Sequence, residues 1–254
     1  MRMREGGDID YQELARFFRE RSFDEFALIS ESDIQAPVGR RPRDLLPGCR
    51  AVIIFGKVMG DDVFSSERRT ASEGVRRLKD ELRTAGEELV ASLTGEGYAA
   101  RTAGAVVLRD GTIRGSLSLK HCAVDAGLGE IGDSTLLISP RFGNRLALGA
   151  VITSKEVRGT TRPERPCGIC THCGRCITAC PENALQTGKI DLFRCRNVTG
   201  TIPGSLRAVV IRLINAGDKI PLLEPAINLV AGRSVPRCSE CLLACPHYRR
   251  SDKK

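Results

Sequence analysis

Apolar residues at Tyr11, Leu14, Ala15 and Phe18 recur at three- and four-residue spacing, which predicts a helix opening near residue 8 with Asp8 or Asp10 as its N-cap. Residues 33–50 carry Pro37, Gly39, Pro42, Pro47 and Gly48 and read as a loop. Ala51 to Val58 (AVIIFGKV) is a short, β-branched apolar run, the pattern of a buried strand. From Ser65 to Leu93 the period becomes helical. Val75, Leu78, Leu82, Leu89 and Leu93 form one stripe, charged residues cover the opposite face, and Gly95 and Gly97 close the helix. Tyr98 to Ala103 and Ala105 to Leu108 read as short strands, and Leu117 to Ala126 as a helix capped by Gly127. Thr135 to Ile138 and Leu146 to Thr153 read as strands, with SPRFGN between them as a hairpin loop containing Gly143.

The texture changes at residues 153–166, a polar, proline-bearing stretch that reads as a linker. It divides a mixed helix-and-strand unit (1–155) from a cysteine-dense unit (160–254), in which Leu206 to Ala216 is a further predicted helix and Ile220 to Gly232 an apolar segment. The length of 254 residues suits one large or two small domains. With 41% hydrophobic and 28% charged residues the composition is that of a globular protein and excludes a disordered chain. No apolar run is long enough to cross a membrane, and the N-terminal MRMREGGDIDYQ lacks the apolar stretch of a secretory signal, so the expected compartment is the cytoplasm. The net charge of +8 reads first as a solvated basic surface and second as a footprint for a polyanion such as tRNA. Trp is absent and aromatic residues are only 4%, which argues against stacking platforms for single-stranded nucleic acid.

Eleven cysteines are the anomaly, and nine of them lie from Cys167 to Cys245. In a cytoplasmic chain such density reads as metal ligation before disulfides. Cys170, Cys173, Cys176 and Cys180-Pro181 follow the spacing C-x2-C-x2-C-x3-C-P, in which three thiolates wrap one cubane cluster and the cysteine before proline serves another. That geometry demands four more ligands downstream, and Cys195, Cys238, Cys241 and Cys245-Pro246 supply them. The expected sets are Cys170, Cys173, Cys176 and Cys245 for one [4Fe-4S] cluster, and Cys180, Cys195, Cys238 and Cys241 for the other. Two zinc sites, each held by four thiolates, are the competing reading. Cys167 is surplus and leaves open a register shifted by one ligand. His172 and His247 flank ligands and read as supporting or exposed residues. Cys49 and Cys122 read as buried side chains.

Residues 117–153, with AGLGEIG (Ala126 to Gly132) and TLLISPRFGNR (Thr135 to Arg145), followed by the eight cysteines, resemble the epoxyqueuosine reductase family and the matching part of reductive dehalogenases. The resemblance implies an α+β fold: a nitroreductase-like α/β N-terminal domain with a C-terminal two-cluster ferredoxin-like domain. It also implies a cobalamin between them, reduced through the clusters, and reductive cleavage of a substrate that in the epoxyqueuosine reductases is a tRNA nucleoside. By the matching motif, Gly127, Gly129 and Gly132 are expected to let backbone approach the corrinoid, with Ser134, Arg141 and Asn144 as further contacts; a helix cap and tight turn also explain the glycines. The chain departs from the family in lacking the acidic V-D-S-A-P-like segment. RDGTIRGSLSLKH stands there, Asp110 is out of register, and Tyr98, Lys120 and His121 are the remaining proton donors.

The expected function is therefore an iron–sulfur reductase passing electrons through two clusters to cobalamin, supplied by a donor such as ferredoxin or flavodoxin. The alternative is a corrinoid-free electron-transfer or reductive-activation partner.

Overall fold

In the computed structural model, residues 8–103, 106–109, 112–157, 166–199, 205, 208–209, 212 and 238–248 are described. The apolar run expected as a buried strand forms β2 (Ala51–Val58) at the centre of a four-stranded antiparallel sheet. Its neighbours are β1 (Glu25–Ser30) on one side and β8 (Leu146–Thr153) on the other, with β3 (Ala100–Ala103) beyond β8. The register pairs Phe55 with Gly149 and Ile53 with Val151 across the centre.

The run is continuous rather than alternating because both faces of the sheet are covered. On one face Ala51, Ile53 and Phe55 pack against Leu14, Phe17 and Phe18 of α1 (Tyr11–Glu20) and Leu89 and Leu93 of α3 (Arg68–Gly95). On the other, Val52 and Ile54 meet Cys122 and Ala123 of α4 (Leu119–Asp125), together with Ala126 and Leu128. Cys49 and Cys122 lie in this second core, as expected, and burial pushes their thiols up to about 11 and about 12, respectively. Asp10 caps α1, its carboxylate accepting from the backbone N–H of Gln12 at 2.8 Å. The loop expected over 33–50 contains one helical turn, α2 (Pro42–Leu45), started by proline at its first position.

The SPRFGN hairpin does not form. The strand β7 (Leu137–Ile138) pairs with β6 (Glu130–Ile131), whereas β8 pairs with β2 and β3. The 139–143 turn closes on itself through a Ser139–Gly143 bridge and leaves β8 free to enter the main sheet. A separate antiparallel pair joins β4 (Val106–Arg109) to β5 (Thr112–Gly115). The polar stretch read as a linker begins inside the fold. Lys155 is 1% exposed and donates to Glu96 at 2.6 Å, and Ile9 N–H donates to the Glu156 carbonyl. Residues 158–165 lie outside the described residues.

The cysteine-bearing part has only short elements: α5 (Arg175–Thr178), the pair β9 (Leu185–Gln186) and β10 (Lys189–Ile190), α6 (Arg196–Thr199) and α7 (Glu240–Leu243). Within the predicted helix 206–216 only Ala208, Val209 and Arg212 are described, all helical, and Ile220–Gly232 lies outside the described residues.

Candidate metal centre and adjoining cavity

Local backbone geometry brings the first cysteines together. Gly168, His172 and Gly174 adopt positive φ (72°, 52° and 70°), which curls the C-x2-C-x2-C loop back on itself before α5 begins. The loop is pinned from the N-terminal unit: Cys170 N–H donates to the Glu130 carboxylate, and His172 Nδ1 contacts Asp133 Oδ1 at 3.0 Å.

Cys170, Cys173, Cys176 and Cys245 line one small pocket, together with Asp133, Ser134 and His247. Cys180, Cys195, Cys238 and Cys241 line a second, much larger cavity of ≈ 1000 Å³. The two groupings coincide with the ligand sets that the spacing argument paired. Cys167 is exposed and lines neither. Asn197 fixes the second set, giving its side-chain N–H to the Cys238 carbonyl at 2.8 Å and accepting the Cys238 N–H at 2.9 Å.

The thiols in each group disfavour one another's ionisation. Burial, then Cys238, Cys195 and Cys180, push the Cys241 thiol up to about 11. Burial chiefly raises Cys245, with Cys173 and Cys170 adding to it and the backbone N–H groups of His247 and Tyr248 opposing. Four clustered thiolates are therefore poor company without a multivalent cation, whose charge reverses that logic.

The large cavity is also walled by residues from earlier in the chain: Met59, Phe64, Ser65, Arg68, Ser72, Ser134 and Thr135. One buried side chain that sequence reasoning passed over organises this wall. Arg145 is 0% exposed, donates from Nε to the Met59 carbonyl at 2.9 Å, and pairs with Asp61 at 2.8 Å. Its guanidinium also lies 5.3 Å from the Phe64 ring and 5.1 Å from the Tyr248 ring, which meet edge-on. Beside it, Asn144 donates to the Leu242 carbonyl at 2.9 Å. The two neighbours thus tie the N-terminal unit to the segment carrying Cys241 and Cys245. The available signal was the run Thr135 to Arg145, in which Arg145 stood at the start of an apolar strand.

The other expected contacts fall as follows. Ser134 is 4% exposed and borders both pockets. Arg141 is exposed and pairs with Glu25 at 3.5 Å. Gly127, Gly129 and Gly132 line neither space. Gly127, at φ 79°, follows α4 as its cap. A Cβ on Gly129 would sit 2.2 Å from the Ile138 carbonyl oxygen, and one on Gly132 would strike the Ile138 side chain at 2.6 Å. These two glycines serve the packing of the turn on β7. Among the proton donors, Tyr98 packs near Lys155 (5.0 Å), away from the cavity. Lys120 donates to the carbonyl of Thr135, a wall residue, and His121 Nδ1 meets Ser118 Oγ at 2.6 Å. Asp110 lies outside the described residues.

The 4Fe-4S binding domain family matches residues 168–186. Curated relatives named epoxyqueuosine reductase include one from Vibrio cholerae, 25% identical over 82% of this chain and 53% of its own length. Another, from Synechococcus sp., is 33% identical over 52% of this chain and 36% of its own. The chain is similar to the epoxyqueuosine reductases and carries a 4Fe-4S binding motif. It matches about half or less of the length of these curated relatives. The epoxyqueuosine reductase structure from Streptococcus thermophilus superposes with a TM-score of 0.59 at 17% identity, covering 96% of this chain and 67% of that one. The structure of a reductive dehalogenase that acts by B12-dependent dehalogenation gives 0.54 at 18% identity over 89% of this chain and 37% of that one. These likenesses establish a shared mixed α/β fold. Among the described residues, no helix is long and apolar enough to cross a membrane.

Proposed function

We propose that this chain is a cytoplasmic reductase that carries electrons through two [4Fe-4S] clusters to a cobalamin and reductively cleaves a bound substrate. One observation carries the reading: the eight motif cysteines divide four and four between two adjoining pockets, the larger of which is walled by both units. We assign Cys170, Cys173, Cys176 and Cys245 to the outer cluster, since Cys173 is exposed there, and Cys180, Cys195, Cys238 and Cys241 to the inner one. Electrons from a ferredoxin- or flavodoxin-like donor would enter at the first and leave at the second. The nitroreductase-like description of the N-terminal unit, and the division into units 1–155 and 160–254, belong to this proposal.

The cavity supports a corrinoid by size and lining. At ≈ 1000 Å³ it stands at the upper end of small-molecule sites, and Ser65, Ser72 and Ser134 leave its walls uncrowded while offering hydrogen bonds. A cobalamin held there would supply the strongly reducing centre that breaks the substrate bond. The chain's own residues hold the wall. Arg145 fixes the Met59 backbone, and the Phe64 and Tyr248 rings close the side between the units. Lys120 Nζ, just behind Thr135, is our candidate source of the proton that completes a reductive cleavage; burial, then the Arg40 charge, lower its pKa and ease proton release. Asn144 ties the wall to the cluster segment, and Ser134 borders both pockets. Arg141, paired with Glu25, and Gly127, Gly129 and Gly132 would act from outside the cavity lining.

An epoxyqueuosine reductase has been solved with an epoxyqueuosine-modified tRNA stem loop, so a modified tRNA nucleoside is the first substrate to try, consistent with the net charge of +8. The test is anaerobic reconstitution with iron, sulfide and cobalamin, followed by gel filtration. About eight iron and eight sulfide per chain with about one co-eluting cobalamin is the expected result. Zinc without sulfide overturns the clusters. Full clusters without retained cobalamin turn the reading to a corrinoid-free electron-transfer partner.

A further inference from the structure

His247 follows Cys245-Pro246 directly and lines the same pocket as Cys170, Cys173, Cys176 and Cys245. Its Nε2 is buried and has no hydrogen-bond partner among the described residues. A buried ring nitrogen is costly to leave unpaired, so it marks a missing partner. The nearby acceptor Asp133 is already engaged by His172 at 3.0 Å.

The segment that bears His247 is also held on both sides of it. On the chain just after it, Tyr248 packs edge-on against Phe64 at 5.5 Å and lies under the Arg145 guanidinium. On the chain before it, Asn144 anchors the Leu242 carbonyl. The Tyr248 N–H donates to the Cys245 carbonyl at 2.9 Å, and the backbone N–H groups of His247 and Tyr248 ease ionisation of the Cys245 thiol. The ring therefore joins a set of donors gathered at one corner of the pocket. The larger cavity has no histidine in its lining.

We infer that His247 Nε2–H donates a hydrogen bond to a sulfur of the cluster held by Cys170, Cys173, Cys176 and Cys245, and so raises the reduction potential of that cluster. The inference rests on the two-cluster reading above. The physical reason is charge: reduction adds an electron to the cluster, and an N–H dipole aimed at its sulfur stabilises the reduced form more than the oxidised one. His247 is a positioning and tuning residue, with no contact to substrate claimed.

The experiment uses the full chain reconstituted anaerobically, as parent, His247→Leu, His247→Gln and His172→Asn. Iron and sulfide are counted, both cluster potentials are followed by EPR-monitored redox titration, and ¹⁵N-histidine-labelled protein is read by pulsed EPR for nitrogen coupled to a reduced cluster. The parent and His172→Asn should show the imidazole coupling. His247→Leu should lose it, keep full iron and sulfide, and show one potential lowered with the other unmoved. His247→Gln, which keeps an N–H donor, should recover part of the shift. A parent with both clusters but no imidazole coupling, or with coupling that survives His247→Leu, overturns the inference while leaving the two clusters standing. An unmoved potential in His247→Leu with full iron and sulfide does the same. Should His247→Leu fail to hold its cluster, the coupling in the parent and His172→Asn and the potential of His247→Gln decide. Parent protein with zinc and no sulfide removes the two-cluster reading itself.

Discussion

At the residue scale, the buried charges carry the most testable energy. Lys155 and Glu96 are 1% and 7% exposed and paired at 2.6 Å. Removing one partner strands the other in a dry site, so Lys155→Met should cost about 3–5 kcal/mol in chemical denaturation, and adding Glu96→Gln should restore much of it. Arg145→Met leaves the Met59 carbonyl without its donor and should cost about 1.5–3 kcal/mol, with cavity ligands bound more weakly. His121 has its pKa lowered by burial first, then by Arg40 and Lys120, with Asp125 opposing. The folded state therefore binds fewer protons than the unfolded one between that depressed value and 6.5, and stability rises with pH across this window. Denaturation midpoints should climb as pH approaches 6.5 from below, and His121→Gln should flatten the climb. None of these partnerships is readable from spacing, since Lys155 and Glu96 are 59 positions apart and Lys155 stood in a stretch polar enough to read as a linker.

At the element scale, periodicity located what local sequence controls. AVIIFGKV is strand β2 over the predicted residues, and the stripe in α3 buries Val75, Leu89 and Leu93. Periodicity failed where pairing partners had to be chosen. Both β7 and β8 were predicted, but a hairpin between them would have kept β8 out of the main sheet, where it buries Ala150, Val151 and Ile152. Glycine supplies the fit inside that sheet. A Cβ on Gly149 would meet the Phe55 ring at 2.5 Å, so the residue opposite Phe55 must be the smallest one. Gly149→Ala should push Phe55 out of its contacts with Phe18 (5.2 Å) and Phe23 (5.4 Å) and lower stability by about 1–3 kcal/mol, read as a fall in the denaturant midpoint.

At the scale of the whole molecule, the cysteine groups and the large cavity are one construction. The segment bearing Cys238, Cys241 and Cys245 is anchored to the N-terminal unit by Asn144 and by Tyr248 against Phe64 and Arg145. Cys238→Ser should lower iron from about eight to about four per chain, whereas Cys167→Ser should leave about eight, because Cys167 lines neither pocket. Iron and sulfide analysis of the two variants, prepared side by side, checks both.

A 4Fe-4S motif and the spacing argument for two sets of four cysteines were legible in the sequence alone. Cysteine spacing is local, and the Cys-x-x-x-Cys-Pro ending carries its own demand for distant partners. The sequence also determined the central strand and the long helix, whose hydrophobic periods are properties of contiguous residues. The cavity, by contrast, exists only in the folded chain. The ≈ 1000 Å³ cavity is walled by residues as distant as Met59 and Cys241. The role of Arg145 exists only because Met59, Phe64 and Tyr248 converge on it. Gly129 and Gly132 lie against Ile138, and Gly132 also faces the Cys170 sulfur, because close approach is set by whichever backbone arrives, and no spacing along a chain names that neighbour.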